Sequence, residues 1–474
     1  MNKVVQNYFF NLGYQLFTIV LPFLTIPYVT RVLGPKNLGI DSYTMSIITI
    51  FSALATAGTT VYATRLVARY RDLIDELNKK VYTLLLIRLI LGLFIFLIFL
   101  IYTTLSEYKL FLIFQMVYLV SNTILDSTWY YAGMERFKEI TTRNLFIKVV
   151  GFFLIILFVR DKNDIYLYMI INGVTLLIPN VYLMIKLLKE IGKPTSTIFS
   201  KRILLSSFHS LAPFFLMNLV IQLYNNLDNI VIEKYNLTYE LGVYSQIIKS
   251  FTVFLSPITS IGTILMPYVS NLNANDDKNK IYNVVSFSST AILIIGVPLF
   301  FGLLYVSKDF VEFYYGTGYI EYLNLFRLGC LLILTGCIYN IVIQQIVLPN
   351  LQEKIYVQGI AIAALVRLLV LLFTLNKVSI YGAVLAYLIG DVFIQCWCIL
   401  KMRKTINILP LLWNQNNLKI FFSSLSMYII LVVFNANLLV SIPLGIVIYV
   451  LFIYFLKEST CMHLFSMIKN FERK

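Results

Sequence analysis

Apolar runs of about 20 residues, the length a bilayer-crossing helix needs, recur along the whole chain, each bounded by charges or by Gly, Pro and Asn. Of the 474 residues 59% are hydrophobic and 13% charged, whereas a soluble domain carries about 25% charged residues. Such a chain cannot cover itself with a water-facing surface, so its length counts helices rather than soluble domains. The pattern predicts an all-α polytopic membrane protein of about 14 transmembrane helices, over 8–30, 41–62, 81–103, 110–131, 144–160, 165–187, 204–232, 243–270, 286–306, 325–346, 355–375, 379–400, 418–435 and 437–456. The last two are close enough to form one re-entrant element. The first run reaches Pro27, Tyr28 and Arg31 without a small-residue cleavage site, so the first helix is expected to stay in the mature protein.

The net charge of +15 is spread in short clusters between apolar runs. That arrangement orients a membrane protein and argues against nucleic acid as a partner. Arg65, Arg69, Arg71, Lys79 and Lys80 fall in one set of loops with Arg136, Lys138, Arg143, Lys186, Lys189, Lys193, Lys401, Arg403 and Lys404. The alternate loops are poorer, with Arg31, Lys36, Lys109, Arg160, Lys162, Lys234, Lys308 and Lys377 usually beside acids such as Asp161, Asp164, Glu233, Asp309 and Glu321. The positive-inside rule then places both termini in the cytoplasm, and the tail residues Lys469, Arg473 and Lys474 agree. Cys330, Cys337, Cys396, Cys398 and Cys461 show no disulfide or zinc spacing, and His209 and His463 have no ligand-bearing neighbours. No metal and no cofactor are expected. The aromatic load, 33 Tyr and 36 Phe, reads mainly as lipid-facing bulk and interfacial belts.

Leu38-Gly39-Ile40-Asp41-Ser42 recurs as Leu241-Gly242-Val243-Tyr244-Ser245, an offset of 203 that also relates later helix starts. An even number of helices per copy relates the copies by an axis along the membrane normal, a common plan for carriers. It predicts a six-helix bundle over 1–200, a second over 201–405, and two additional helices with a cytoplasmic tail over 406–474.

A charge at mid-bilayer costs about 2.5–3.5 kcal/mol, so it normally faces protein or water and has a task. Arg367 falls roughly 18 Å into its helix at 1.5 Å per residue, too deep to snorkel easily. It either faces a polar cavity or pairs with Asp391 at similar depth on the next helix. Arg88 and Lys249 lie nearer helix ends, where snorkelling competes with a cavity role; with Arg367 they would form a cationic, substrate-binding surface for phosphate. Asp126 and Asp228 sit near helix ends beside Ser121, Asn122, Asn225 and Asn226, suiting solvation or capping as well as ion coupling.

Four segments in order carry a family resemblance: Pro27-Tyr28-Val29-Thr30-Arg31-Val32-Leu33-Gly34-Pro35; Trp129 through Phe137 with its W-x-x-x-G-x-E pattern; Leu227-Asp228-Asn229-Ile230 with Leu241–Ser245; and Gln344-Gln345-Ile346-Val347-Leu348-Pro349. Over about residues 1 to 400 the chain resembles Wzx-type polysaccharide flippases of the multidrug/oligosaccharidyl-lipid/polysaccharide exporter superfamily. The resemblance implies two six-helix bundles around a cationic cavity, an undecaprenyl-pyrophosphate-linked oligosaccharide as cargo, and alternating access in the cytoplasmic membrane. Membrane lipids and the polymerase machinery of surface-polysaccharide assembly are the further partners it implies. Fourteen helices also occur in the related lipid II flippases.

A membrane polysaccharide polymerase or lipid-linked glycosyltransferase is the alternative. It needs acid/base groups gathered on a sizeable outer loop. The longest such loop expected here, 307–324, holds only Lys308, Asp309, Glu312 and Glu321. A drug/cation antiporter would favour acidic rather than cationic deep groups. No G-x-x-x-x-G-K-[ST] segment is present for an ATP-driven pump. The expectation is a carrier, not an enzyme.

Overall fold

The computed structural model describes residues 20–192, 201–274, 278–403, 406–435 and 437–456. The first part of the helix expected over 8–30, Lys193, Lys404, Ala436, Cys461, His463 and the tail lysines lie outside them. Among the described residues the chain is all-α, with no strand, and 12 helices are long and apolar enough to cross a membrane. Two further helices lie at the remaining expected positions without meeting that measure, so twelve spans rather than about 14 are counted among the described residues. α1, Val20–Val32, is the described part of the first, and Lys201–Lys234 is long but too polar to join the twelve, because Gln222, Asn225, Asn226, Asp228 and Asn229 crowd its second half. The protein is therefore a multi-pass membrane protein. It divides after Ser245 into two compact units.

The first unit holds α1, α2 (Gly34–Thr56), α3 (Thr59–Tyr70), α4 (Ile74–Leu105), α5 (Lys109–Thr123), α6 (Thr128–Gly133), α7 (Phe137–Phe158), a 3-10 turn Lys162–Asp164, α8 (Ile165–Ile191), α9 (Lys201–Lys234) and the first turns of α10 (Thr238–Ala274). Two expected helices break. The segment 41–62 starts earlier and splits at Ala57 and Gly58, both with positive φ, 47° and 70°. A Cβ on Gly58 would lie 2.3 Å from the carbonyl carbon of Phe214, so α9 can approach only a glycine there. The segment 110–131 splits between Thr123 and Thr128. Arg65 and Arg69, expected in a loop, instead ride on α3, whose other face buries Ala63 and Val67 against Trp129 and Tyr131. On α4, Phe94, Leu97 and Ile101 stay exposed, as an apolar face turned to lipid should be.

The second unit holds the rest of α10, α11 (Lys278–Tyr315), a 3-10 turn Thr317–Tyr322, α12 (Leu323–Gly329), α13 (Leu331–Tyr339), a π-helical stretch Asn340–Val347, α14 (Glu353–Val378), α15 (Tyr381–Met402), the short α16 (Leu409–Leu412), α17 (Gln415–Phe434) and α18 (Leu438–Phe455). The outer loop expected over 307–324 is mostly helix. α11 carries Lys308, Asp309 and Glu312, and the chain turns only at Gly316, φ 96°. α17 and α18 are separate helices, parted at Asn435 with φ 45°, and Tyr449 of α18 donates to the Ile294 carbonyl of α11 at 2.9 Å. Not all aromatics face lipid. Phe310, Tyr314 and Phe326 stack inside this unit at centroid separations of 4.7 and 5.5 Å, with Phe251 at 5.2 Å from Phe326.

Candidate functional site

Arg88, near the middle of α4, is 1% exposed, so its guanidinium does not snorkel. It reaches the break between α5 and α6. Nε donates to the Thr123 carbonyl at 3.0 Å, and Nη2 to the Asn122 carbonyl and to Asp126 Oδ2, both at 3.2 Å. The last carbonyls of a helix lack intrahelical partners and carry partial negative charge, which a buried guanidinium complements. Asp126 Oδ1 turns the other way and accepts from Thr128 N at 3.0 Å and Thr128 Oγ1 at 2.6 Å. One arginine and one aspartate thus close the break and position Trp129, whose indole donates to the Asp126 carbonyl at 3.0 Å. Beyond Trp129, Arg136 meets Glu190 at 3.0 Å, and Lys186 joins Glu139 and Glu190. Arg71 meets Glu135 at 2.7 Å, which raises the guanidinium's pKa.

At the opposite ends of these helices, where α2, α9 and α10 cross, lies a buried polar strip. Asp228 is 2% exposed and accepts from the Tyr244 hydroxyl. Asn229 donates to Ser46 Oγ at 2.9 Å, and Ser42 Oγ to Ser245 Oγ at 2.8 Å. Gly39 and Gly242 allow the crossing. A Cβ on Gly39 would fall 1.9 Å from the Thr238 carbonyl oxygen, and one on Gly242 would fall 1.8 Å from that of Pro35. Ser42 and Ser245 are equivalents across the 203-residue offset, as are Gly39 and Gly242.

Two buried carboxylates here escaped the sequence reading. Asp41, 9% exposed, takes Gln115 Nε2 on Oδ1 at 2.7 Å. Glu233, 7% exposed, accepts from Tyr108 and from Thr238 Oγ1, the latter at 2.8 Å, while its Oε2 has no protein partner. Burial, and then the bond to Glu233, pushes the Tyr108 phenol up to about 12, so it remains a donor. Asp41, at the start of the helix expected over 41–62, is two turns inside α2, and Glu233 lies in the last turn of α9, just past the end of the helix expected over 204–232.

In the second unit Arg367 is 1% exposed on α14, its guanidinium carbon 4.0 Å from the centroid of the Tyr387 ring on α15. That contact is a desolvated cation–π pair. Asp391 lies one turn beyond Tyr387, on the same face of α15, within Coulombic reach of Tyr339 and Tyr356. Those two hydroxyls meet at 2.7 Å. Lys249, on α10, is exposed and forms no ion pair among the described residues. The structure thus brings Arg88 to Asp126 and Arg367 to Tyr387, while Asp228 bonds Tyr244. No group of three His, Cys, Asp or Glu side chains is placed to hold a metal among the described residues.

Known proteins align with this architecture. Two bacterial proteins described as "Putative O-antigen transporter" are similar in sequence. One, from Shigella dysenteriae, is 25% identical over 79% of this chain and 94% of its own length. The other, from Escherichia coli (strain K12), is 26% identical over 63% of this chain and 72% of its own. In fold the chain superposes on the lipid II flippase MurJ in an inward closed conformation with a TM-score of 0.72, covering 93% of this chain and 96% of that one at 17% identity. A Vibrio cholerae MATE transporter gives 0.53, covering 83% and 96% at 13% identity. The family described as "Polysaccharide biosynthesis protein" matches residues 4–273, which include three of the four segments that carried the resemblance. With more than half of its length matched, the chain belongs to the polysaccharide biosynthesis protein family.

Proposed function

We propose that this protein flips undecaprenyl-pyrophosphate-linked oligosaccharide repeat units from the cytoplasmic to the outer leaflet, by alternating access, for surface-polysaccharide assembly. The observation that carries the reading is a polysaccharide-family sequence on a helical fold, with twelve apolar spans among the described residues, that superposes over 93% of its length on a lipid II flippase. Its relatives are named as transporters, which fits a carrier rather than an enzyme.

Within this reading Arg367 and Lys249 supply positive charge to the cargo's pyrophosphate, because Arg offers a planar fork of donors to phosphate oxygens and Lys a point charge. Arg88 serves the same cationic path from behind, by holding the α5–α6 break. Asp228 is assigned to ion coupling and Asp391 to balancing Arg367, while Asp126 is committed to Arg88 and Thr128.

In a deletion strain complemented in trans, Arg367→Ala should abolish surface polysaccharide with the protein still present in the membrane, and Arg367→Lys should restore part of it. Normal output from Arg367→Ala removes Arg367 from the path. The carrier reading itself is decided by the leaflet on which lipid-linked oligosaccharide accumulates in the deletion strain. Complete repeat units held on the cytoplasmic face support a flippase; single units stranded on the outer face indicate a polymerase.

A further inference from the structure

A cavity of about 500 Å³ opens where four helices of the first unit begin, and its walls come from the first turns of α2, α5 and α10 and from the 3-10 turn leading into α8. Lys36 and Lys162 are the only charged side chains lining it. Both are exposed, and neither has an ion-pair partner among the described residues. The two acids nearest Lys162 in sequence turn to the backbone rather than pairing with it: Asp161 Oδ1 accepts from Asn163 N at 2.7 Å, and Asp164 Oδ2 from Arg160 N and Asp161 N at 2.8 and 3.1 Å. The buried carboxylate Glu233 is tied to Tyr108 and Thr238 and does not line the cavity.

The two segments that carry these lysines are held together. Asn37 Nδ2 donates to the Lys162 carbonyl at 2.7 Å, which fixes the α7–α8 turn to the start of α2. Gly34 has φ 75°, and a Cβ there would stand 3.8 Å from Lys162 Cε, so the lysine stem runs across the start of α2. Phe111, Tyr166 and Tyr239 form an aromatic wall, with Phe111 and Tyr166 at 5.0 Å between centroids. The first turn of α2 has no side-chain cap, so its amide dipoles add to the field of the two ammonium groups. Two cations and an aromatic wall, at the level where transmembrane helices start, match a phosphate group joined to an apolar stem.

We infer that this cavity docks the phosphate headgroup of a lipid. By the positive-inside rule it faces the outer leaflet, where both an anionic phospholipid and the pyrophosphate lipid carrier of the cargo offer this chemistry. The inference does not rest on the flippase reading, since it is measured as binding with no translocation.

The test is native mass spectrometry of the full-length protein in detergent, with dioleoylphosphatidylglycerol, dioleoylphosphatidylcholine or undecaprenyl pyrophosphate added. The wild type should retain phosphatidylglycerol over phosphatidylcholine. Lys36→Gln/Lys162→Gln should weaken that retention about tenfold, the sum of two modest exposed charge contacts. Lys109→Gln, which removes a lysine from the same membrane surface but outside the cavity, should leave it unchanged. If undecaprenyl pyrophosphate displaces phosphatidylglycerol and is lost in the double variant, the cargo carrier uses the site; if it does neither, the site belongs to phospholipid. Equal retention by wild type and double variant, or an equal loss from Lys109→Gln, overturns the assignment. Both cavity lysines are exposed, so an unchanged melting temperature is expected to confirm that the double variant is folded.

Discussion

Breaking the Arg88–Asp126 pair from one side leaves a charge with no partner in a low-dielectric interior. Asp126→Asn should destabilise the protein by about 3 kcal/mol, the low end for a buried pair because Asp126 is 13% exposed. Arg88→Met should cost less, since no buried cation remains, and Arg88→Met/Asp126→Asn should cost less than the two single effects added. Thermal unfolding followed by tryptophan fluorescence reads all three, and strict additivity would show the pair to be independent. Read from the sequence, Arg88 lies near a helix end with snorkelling open to it; neither its full burial nor its partner was legible. Asp126 lies in a break that hydropathy bridges, since Ile124 and Leu125 continue the apolar run across it. The depth of Asp41 was lost for a related reason. The helix pattern begins at the first sustained apolar stretch, whereas α2 starts two turns earlier, at Gly34 with Pro35 in its first turn.

At the scale of elements, the crossing of α2 and α10 depends on two glycines whose backbones touch. Gly39→Ala and Gly242→Ala should each push the helices apart, costing about 1–3 kcal/mol as overpacking does. Because each glycine's Cβ position meets the other's backbone nitrogen, at 3.0 and 2.9 Å, the double variant should fall short of the summed losses. Melting temperatures of the purified variants decide this, and two silent single variants would refute the close approach. Ser42→Cys with Ser245→Cys should form a disulfide under mild oxidation, visible as a mobility shift reversed by reductant. The repeat that contains these residues was visible as a five-residue match, but which copies of it touch is a tertiary fact. Nor does any local pattern announce the π-helical stretch Asn340–Val347, where buried Gln345 accepts from Ser288 and donates to Asn340 at 3.3 Å. Polar partners brought from α11 favour the wider turn there, and residue spacing alone carries no sign of them.

For the whole molecule, composition and run length sufficed for the fold class, because a chain this apolar has no route to a soluble surface. The number of spans was less legible. α9, expected over 204–232, is a full-length helix, yet it is more polar than the twelve apolar spans, and Asn229 and Asp228 are spent on contacts with α2 and α10. Orientation rests on the charge asymmetry and yields a direct prediction. In a background lacking the native cysteines, Lys162→Cys should react with a membrane-impermeant thiol reagent added outside intact cells, and Lys138→Cys only after permeabilisation. The reverse pattern would invert the topology and place the lysine-lined cavity on the cytoplasmic leaflet.

A residue that touches its own counterpart in a recurring segment lies on a local two-fold axis between the two segments. Ser42 with Ser245, and Gly39 with Gly242, do so, although the positions between them have diverged, Asp41 in one copy answering to Tyr244 in the other. The contact is therefore isologous, the self-complementary kind by which two identical subunits form a closed dimer. Neither side of such a seam can enlarge alone: a bulkier side chain at Gly39 or Gly242 meets backbone of the facing helix, so each position sets the size that the other can tolerate.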